Sequence, residues 1–319
     1  MKEKPASMLC FSSLLPKIYP KDAQSIFKAL EQNHVDYGFI SGTKDVWVRD
    51  FMPVRTRNSR LCTFLYDPSY LKDRPDLRTD LRTDKLTFTP LRSRDPICES
   101  DEWVDIRLDG GNVVYDSVTD TCIVSDRVFS ENPQISRYDL VRQLKRALRS
   151  DHLILIPSLK SDMTGHADGM VRFAGQDTVI CNEPQSKTGF DRKLRTVLEN
   201  HGLRVMDFPY EPAKGISAVG CYLNFLEAAN RIFLPVFGIP KDEQAVRTAE
   251  KVFEGKKIVP VLIPEIAKAG GGLHCVSWDT DRAVVQTKRG LYEKKSSFRI
   301  QDFHIRNHIA VSREERKTR

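Results

Sequence analysis

Hydrophobic and polar residues follow one another along this chain in an order that repeats. Four times, a stretch with the apolar spacing of an amphipathic helix leads into a short apolar strand, a polar loop and further strands. The helices, each with its following strand, are predicted over 22–31 and 37–40, 138–149 and 153–156, 192–200 and 204–208, and 242–253 and 257–263. The further strands are predicted over 51–55, 61–66, 170–173, 178–181, 231–234 and 283–286. A fifth, shorter copy lies between the first two, with strands over 103–107, 113–115 and 122–125.

Each copy is about 60 residues long, which is too short for a unit that folds by itself. Copies stacked around an axis would bury a common core and turn their loops toward one end. We therefore expect one α/β domain over residues 1–310, with a single cleft, and a basic tail over 311–319. Residues 67–100 fit no copy. They are charged, bear prolines and repeat Leu-Arg-Thr-Asp in tandem at 77–84, and we expect them to pass over the mouth of the cleft.

Composition and charge exclude several classes of protein. Hydrophobic residues make up 40% and charged residues 29%, no apolar run is long enough to span a membrane, and no secretory signal is predicted. The seven cysteines occur singly, which argues against disulfides and a zinc site, so we expect a reduced, cytoplasmic protein without metal or cofactor. The net charge of +7 comes largely from residues 288–299 and 313–319, a solvated edge and a chain end. We expect no nucleic-acid or membrane partner, and the sequence leaves a homo-oligomer open.

The loops of the copies carry the candidate chemistry. Three glycines precede Cys275, and such a turn can present a thiol nucleophile, although a single cysteine is more often a small buried residue. His166 can act as a general acid and base, Asp50 and Asp168 supply carboxylates, and Asn224 supplies a neutral amide. Each falls at the equivalent point of a copy. That coincidence favours one shared functional site.

Paired carboxylates with a thiol fit a planar cation with several N–H donors, and guanidinium is that cation. Held at both edges, its carbon is placed for attack by the thiolate, while a histidine protonates the departing amine and then activates water. Acyl transfer, as in a cysteine protease, is the alternative use of a cysteine with a histidine and an acid. It is disfavoured because it gives the second carboxylate no role.

Five motifs in order carry a resemblance to a known family. They are Trp47-Val48-Arg49-Asp50, Asp109-Gly110-Gly111-Asn112, Gly165-His166-Ala167-Asp168, Tyr222-Leu223-Asn224-Phe225 and Gly271-Gly272-Leu273-His274-Cys275. This set resembles the agmatine deiminase and bacterial (Porphyromonas-type) peptidylarginine deiminase family of guanidine-modifying enzymes. The resemblance covers about residues 8–300 and implies a five-bladed, pseudo-symmetric α/β propeller, the pentein fold.

The resemblance also implies roles for the residues that match its motifs. Cys275 is expected to be the nucleophile, His166 the acid/base, and Asp50 and Asp168 the guanidinium ligands. The residues expected to bind substrate are Asn224, Trp47 as a wall of the pocket, Gly272, and Asp109, which shapes the second loop more than it touches the reacting carbon.

The chain departs from the family pattern in ways that concern the substrate. Ser277-Trp278-Asp279 replaces a Thr-Gln-Gln-like run, and no arginine pair for a C-terminal carboxylate is evident, although Arg74, Arg78 and Arg82 lie close by. We expect agmatine to be converted to N-carbamoylputrescine and ammonia, a step of putrescine and polyamine metabolism. Free arginine, a peptidylarginine that becomes citrulline, an amidinotransferase and a non-catalytic pentein are the alternatives.

Overall fold

Five small sheets and eight α-helices make up the part of the chain that the computed structural model describes, residues 7–89, 100–185, 189–213 and 215–281. These residues belong to one compact unit over 1–285. The helices are α1 Leu15–Ile18, α2 Pro20–Gln32, α3 Val48–Phe51, α4 Arg127–Glu131, α5 Arg137–Leu148, α6 Gly189–Asn200, α7 Lys241–Val252 and α8 Pro264–Lys268. The predicted tail 311–319 and the predicted strand 283–286 lie outside the described residues.

The strands alternate with these helices along the chain. They are β1 Ser7–Ser12, β2 Tyr37–Ser41, β3 Val54–Arg55, β4 Leu61–Leu65, β5 Thr87–Thr89, β6 Glu102–Arg107, β7 Val113–Asp116, β8 Thr121–Ser125, β9 His152–Ile156, β10 Val171–Gly175, β11 Thr178–Asn182, β12 Arg204–Phe208, β13 Leu226–Ala228, β14 Arg231–Val236, β15 Lys257–Leu262 and β16 Ser277–Asp281. The predicted helices and most predicted strands are confirmed to within a few residues.

All five sheets share one topology, an antiparallel pair of strands followed by a third, parallel strand. Four of them are continuous in sequence, in the orders β3-β4-β6, β7-β8-β9, β10-β11-β12 and β13-β14-β15. A parallel neighbour requires a crossover, which an amphipathic helix usually provides. The repeated order predicted from the sequence is therefore an α/β repeat, and the predicted fold class is confirmed.

The fifth sheet joins the two ends of the described chain. β16 pairs antiparallel with β1, from Ser7 opposite Asp281 to Phe11 opposite Ser277, and β1 pairs in parallel with β2. The order β16-β1-β2 thus reproduces the topology of the other four sheets and closes the ring. The sequence analysis predicted neither β1 nor β16, and it also missed the short strand β13.

Helix α5 shows how the local sequence fixes the crossovers. Ser136 caps its first turn by accepting a hydrogen bond from the backbone N–H of Asp139, and Leu140, Leu144 and Leu148 recur on one buried face. The helix ends at Arg149, which adopts the left-handed conformation with φ 53°. The same pattern of buried leucines recurs in α6.

Residues 67–100 occupy the crossover between β4 and β6, where each of the other sheets has a helix. The described part of this segment adds β5 to the edge of the first sheet, antiparallel to β2. Thr79 of the tandem is fully buried and accepts a hydrogen bond from the backbone N–H of Lys44 at 2.9 Å. Residues 90–99 lie outside the described residues.

One local prediction was wrong. A strand was predicted over 51–55, but the chain forms the short helix α3 there and only a two-residue strand, β3, follows it. Val48 and Phe51, spaced three apart, are both buried on one face of this turn, and a spacing of three is helical. None of the described helices is long and apolar enough to cross a membrane.

Candidate active site

Five connections carry the predicted site residues, and each runs from the third strand of one sheet to the first strand of the next. Asp50 follows β2, Asp109 follows β6, and His166 and Asp168 follow β9. Asn224 follows β12, and Cys275 follows β15 and α8. Because the connections are equivalent in the repeat, they reach the same end of the ring, and the side chains meet there through the contacts given below.

Cys275 ends a glycine turn whose three glycines do different things. Gly270 has φ 107°, a left-handed conformation that a side chain disfavours. Gly271 and Gly272 are needed for space instead. A Cβ on Gly271 would lie 2.3 Å from the indole of Trp47, and a Cβ on Gly272 would lie 2.7 Å from Asn224 Oδ1. The turn thus lets Trp47 and Asn224 approach the backbone beside the thiol.

Both ends of the Asn224 side-chain amide contact Cys275, the predicted nucleophile, or its backbone. Its Oδ1 accepts hydrogen bonds from the backbone N–H groups of His274 at 3.0 Å and Cys275 at 3.1 Å. Its Nδ2 lies 3.1 Å from the Cys275 Sγ and 3.4 Å from Asp168 Oδ2. The side chain predicted as a substrate contact therefore lies directly against the thiol.

The Cys275 thiol is surrounded by negative charge. Burial raises its pKa well above the usual range, and the nearby carboxylates of Asp168 and Asp50 raise it further. The Sγ lies 4.0 Å from Asp168 Oδ2. Without a cation in the site, the thiol therefore holds its proton at neutral pH.

His166 lies between two carboxylates and is 5% exposed. Its Nε2 is 2.9 Å from Asp109 Oδ2, and its Nδ1 is 3.6 Å from Asp50 Oδ1. Burial favours the neutral imidazole, but the charges of Asp50 and Asp109 outweigh it and raise the pKa of His166 to about 9. The imidazole is therefore protonated at neutral pH and can serve as a general acid. The same Asp109 oxygen also accepts a hydrogen bond from the Tyr70 hydroxyl at 3.2 Å.

Asp50 is held by the glycine motif of the second loop. Its Oδ1 accepts a hydrogen bond from the Gly111 N–H at 3.1 Å, and a Cβ on Gly111 would lie 2.6 Å from that oxygen and 2.8 Å from His166 Nδ1. Burial raises the pKa of Asp50, and the neighbouring carboxylates of Asp109 and Asp168 add to this against the opposing effect of His166.

Asp168 is 2% exposed and has a partner that the sequence analysis missed. His274 Nδ1 lies 2.7 Å from Asp168 Oδ2. Burial opposes ionisation of Asp168, but the hydrogen bond from His274 prevails and the pKa of the carboxyl falls below its usual range. His274 lies directly before the nucleophile in the last motif, which is the one signal in the sequence that could have pointed to it.

A small, partly open cleft lies beside His166. Its charged lining residues are Asp67, Arg107, Asp109, Arg127, Glu131 and His166. Arg107 pairs with Asp67 at 3.0 Å, and Arg127 pairs with Glu131 at 3.1 Å. Residues 67 and 68 of the segment that replaces a crossover helix thus line the cleft.

The three arginines of that segment already have carboxylate partners. Arg74 pairs with Asp76 at 2.8 Å, Arg82 pairs with Asp105 at 2.5 Å, and Arg78 pairs with Asp67. Arg74 and Asp76 are exposed, so this pair is weak.

Solved structures with the same fold place the chain in a class. It matches an agmatine deiminase of C. jejuni with a TM-score of 0.66 and 18% identity over 88% of this chain and 94% of that one. It matches DDAH of Pseudomonas aeruginosa with a TM-score of 0.54 and 12% identity over 86% and 98%. The five sheets and these likenesses define a pentein, the fold class predicted from the sequence.

The family follows from the sequence itself. The family model of Porphyromonas-type peptidyl-arginine deiminase matches residues 16–280, and the chain belongs to that family. It is 26% identical over 211 residues to the agmatine deiminase of Pseudomonas aeruginosa, which covers 54% of this chain and 56% of that protein. The chain spans somewhat over half the length of the curated relatives it matches.

Proposed function

We propose that this protein hydrolyses a guanidine to a ureido group and ammonia through a covalent intermediate on Cys275. One observation supports this most directly. Two buried carboxylates, Asp50 and Asp168, arrive from different connections, with the thiol beside one and a protonated imidazole beside the other. Two carboxylates on one site suit a cation with N–H donors on two edges, and they have no comparable role in acyl transfer.

Binding of a cationic substrate would activate Cys275 by favouring loss of its thiol proton. Asp168 and Asp50 raise the pKa of the Cys275 thiol in the free site, and a guanidinium bound between them offsets their charge. The thiol then releases its proton to solvent and the thiolate attacks the adjacent guanidinium carbon, so binding and activation occur together. The Asn224 amide donates toward the sulfur and supports the thiolate.

His166 then serves twice. As an imidazolium it gives a proton to the amine as the carbon–nitrogen bond breaks, and ammonia leaves an amidino group on the sulfur. The neutral imidazole next takes a proton from water, whose oxygen attacks the same carbon. The carbon–sulfur bond then breaks as the ureido C=O forms, and Cys275 leaves as a thiolate that regains its proton from solvent. Asp109, hydrogen-bonded to Nε2, orients the ring and keeps its pKa high, which extends the role predicted for it in shaping the second loop.

Agmatine is the substrate we propose. The curated relatives include the agmatine deiminase of Pseudomonas aeruginosa, and one matched C. jejuni structure is an agmatine deiminase variant with substrate bound. Asp67 and Glu131 line the cleft as carboxylates for the distal ammonium of agmatine, which would compete for them with their present partners Arg107 and Arg127. Arg107 and Arg127 in the same cleft favour the second candidate, an arginine or a peptide that ends in arginine, through its carboxylate.

A substrate panel distinguishes the two. Agmatine, free arginine and a peptide ending in arginine are compared by kcat/KM, with ureido product and ammonia measured separately. We expect agmatine to be preferred by at least about 10-fold, since about 1.4 kcal/mol of distal recognition suffices. Preference for the peptide would show that the peptide, and not agmatine, is the substrate. Release of the parent amine without ammonia or ureido product, in the presence of an acceptor amine, would indicate amidino transfer.

The Cys275→Ser variant is the control for the chemistry. It should form no ureido product with any of the three substrates while it unfolds at the same temperature as the wild type, because the hydroxyl is a far weaker nucleophile. Turnover at the wild-type rate would remove Cys275 from the mechanism.

The compartment is a further part of this proposal. The described cysteines Cys62, Cys122, Cys181, Cys221 and Cys275 are free thiols, which supports a reducing, cytoplasmic location. That the chain forms a homo-oligomer stays a prediction, which its mass in solution would test.

A further inference from the structure

His274 is the buried titratable group that the proposed chemistry leaves without a task. Its side chain is 12% exposed and its Nδ1 lies 2.7 Å from Asp168 Oδ2, the shortest hydrogen bond to either guanidinium-binding carboxylate among the described residues. Its backbone N–H donates to Asn224 Oδ1 and its carbonyl accepts from Arg49 Nε at 3.4 Å. These hydrogen bonds fix the backbone of His274, and the contact with Asp168 fixes its imidazole ring.

We propose that His274 is a positioning residue for guanidinium binding: as a neutral Nδ1–H donor it fixes Asp168 so that its other oxygen, Oδ1, faces the substrate. This inference rests on the proposed function. The hydrogen bonds to Asp168 given for the described residues all reach Oδ2, from His274, Asn224 and the Cys275 Sγ. The described contacts of Asp50 likewise fall on its Oδ1. Each carboxylate thus keeps one oxygen for the incoming cation.

The protonation state of His274 matters as much as its position. Burial lowers the pKa of His274 to about 3, and the cationic Arg49 and Arg172 act in the same direction against Asp168. An imidazolium in this place would cancel the charge of Asp168 and weaken its attraction for guanidinium. A neutral donor orients the carboxylate and leaves its charge for the substrate.

The surroundings of the pair come from several elements. The charged and titratable groups that face Asp168 and His274 are Arg49 and Asp50 on α3, His166 before the Ala167–Gly169 turn, Arg172 on β10, Cys275, and Asp279 on β16. Arg172 is engaged by the carbonyls of Leu223 and Phe225, and Arg49 is engaged by Asp279. These partners keep the two arginines close enough to lower the pKa of His274, while the hydrogen bonds given for their side chains go to groups other than Asp168.

The test compares three substitutions that differ in where they can place a donor. In His274→Asn the amide nitrogen can take the place of Nδ1, in His274→Gln the amide reaches further along the chain, and in His274→Phe the ring has no donor. His201→Phe, in the exposed turn directly after α6, is the matched control, since among the described residues the His201 imidazole hydrogen-bonds to Val197 O. Thermal unfolding of all four variants separates lost folding from lost positioning.

The main readout does not need turnover. Cys275 is alkylated separately with chloroacetamidine and with neutral iodoacetamide. The amidinium of chloroacetamidine is a planar cation like guanidinium, and the thiolate displaces its chloride. The ratio of the two rates measures how well the carboxylates hold a cation beside the thiol. We expect His274→Phe and His274→Gln to lower this ratio by roughly 10- to 100-fold, and His274→Asn and His201→Phe to stay near wild type.

A second readout follows the pH dependence of agmatine kcat/KM. The hydrogen bond from His274 lowers the pKa of Asp168, so His274→Phe should move the acid limb to higher pH while His274→Asn leaves it in place. KM should rise more than kcat falls, because the lost interaction orients a binding group.

The outcomes separate this inference from the proposed function. A wild type that does not prefer the amidinium reagent would contradict the proposed function itself. A wild type that prefers it, with an equal ratio in His274→Phe and His274→Gln, would overturn the role of His274 alone. Equal losses in His274→Asn and His274→Phe would also overturn it, because a donor at the Nδ1 position would then not suffice.

Discussion

Substitution of Gly111 by alanine tests whether the spacing around Asp50 and His166 sets the rate. The backbone at this position is compatible with alanine, since Gly111 is not among the described residues with positive φ. The added Cβ, however, would lie 2.6 Å from Asp50 Oδ1 and 2.8 Å from His166 Nδ1, where ordinary contacts begin at 3.4 Å. One methyl group therefore displaces the proposed guanidinium ligand Asp50 and the proposed general acid His166 together, each by roughly half an ångström or more.

A misplacement of about 1 Å in a catalytic constellation costs on the order of 10²-fold in rate, so we expect kcat/KM for agmatine to fall between about 10- and 100-fold. Overpacking of a buried site costs typically 1–3 kcal/mol of unfolding free energy, so the variant should still fold. The assay is ureido product formation at substrate concentrations below KM, alongside a urea unfolding curve.

Gly169→Ala is the matched control. Gly169 directly follows Asp168, and a Cβ there would meet no atom within 4 Å. It should keep activity within a few-fold of wild type. Wild-type kcat/KM in Gly111→Ala, or equal losses in the two variants, would refute the reasoning that contact with Asp50 and His166 is what limits the position to glycine.

Three further outcomes are expected. Asp50→Asn and Asp168→Asn should each lower kcat/KM by an amount equivalent to about 2–5 kcal/mol, because each leaves one edge of a buried cation poorly paired, and near-wild-type kinetics in either would remove that carboxylate from the clamp. The kcat/KM should stay constant as the pH rises above 7 and fall as the pH passes about 9, where His166 loses its proton. The Asp109→Asn variant should shift this fall to lower pH. An unchanged profile in that variant would show that Asp109 does not set the pKa of His166. Dialysis against EDTA should leave the rate unchanged, since thiol, imidazole and carboxylates supply every proposed step, and a lost rate restored by a divalent cation would contradict this.

Much of the fold was predictable because the helices and most strands of each repeat show their own hydrophobic periodicity in the sequence. Helices such as α5 and α6 bury leucines at helical spacing and have polar ends, so their bounds could be predicted to within a few residues. Strands β1 and β16 could not be recognised in this way. Each completes a sheet only by pairing with a partner at the far end of the chain, and that pairing leaves no local signal.

The candidate site was predictable to the extent that its residues fall at equivalent points of the repeat. That rule found Cys275, His166, Asp50, Asp168 and Asn224, which the structure brings together. It could not find the hydrogen bonds that cross between connections. The contacts of Tyr70 with Asp109 and of His274 with Asp168 depend on side-chain direction across separate sheets, which spacing in the sequence does not encode.

The seam between β1 and β16 has a consequence for the order of folding during synthesis. Cys275 lies two residues before β16, so its thiol can settle beside Asp168 only after β16 has been synthesised and has paired with β1. The entropy of closing so long a loop grows only slowly with its length, by about 0.6 kcal/mol for each doubling, so late closure is slow rather than costly. A nascent chain can therefore have its earlier sheets formed while Cys275 is still away from Asp168, and we expect reactivity toward cationic guanidines to arise when β16 pairs with β1.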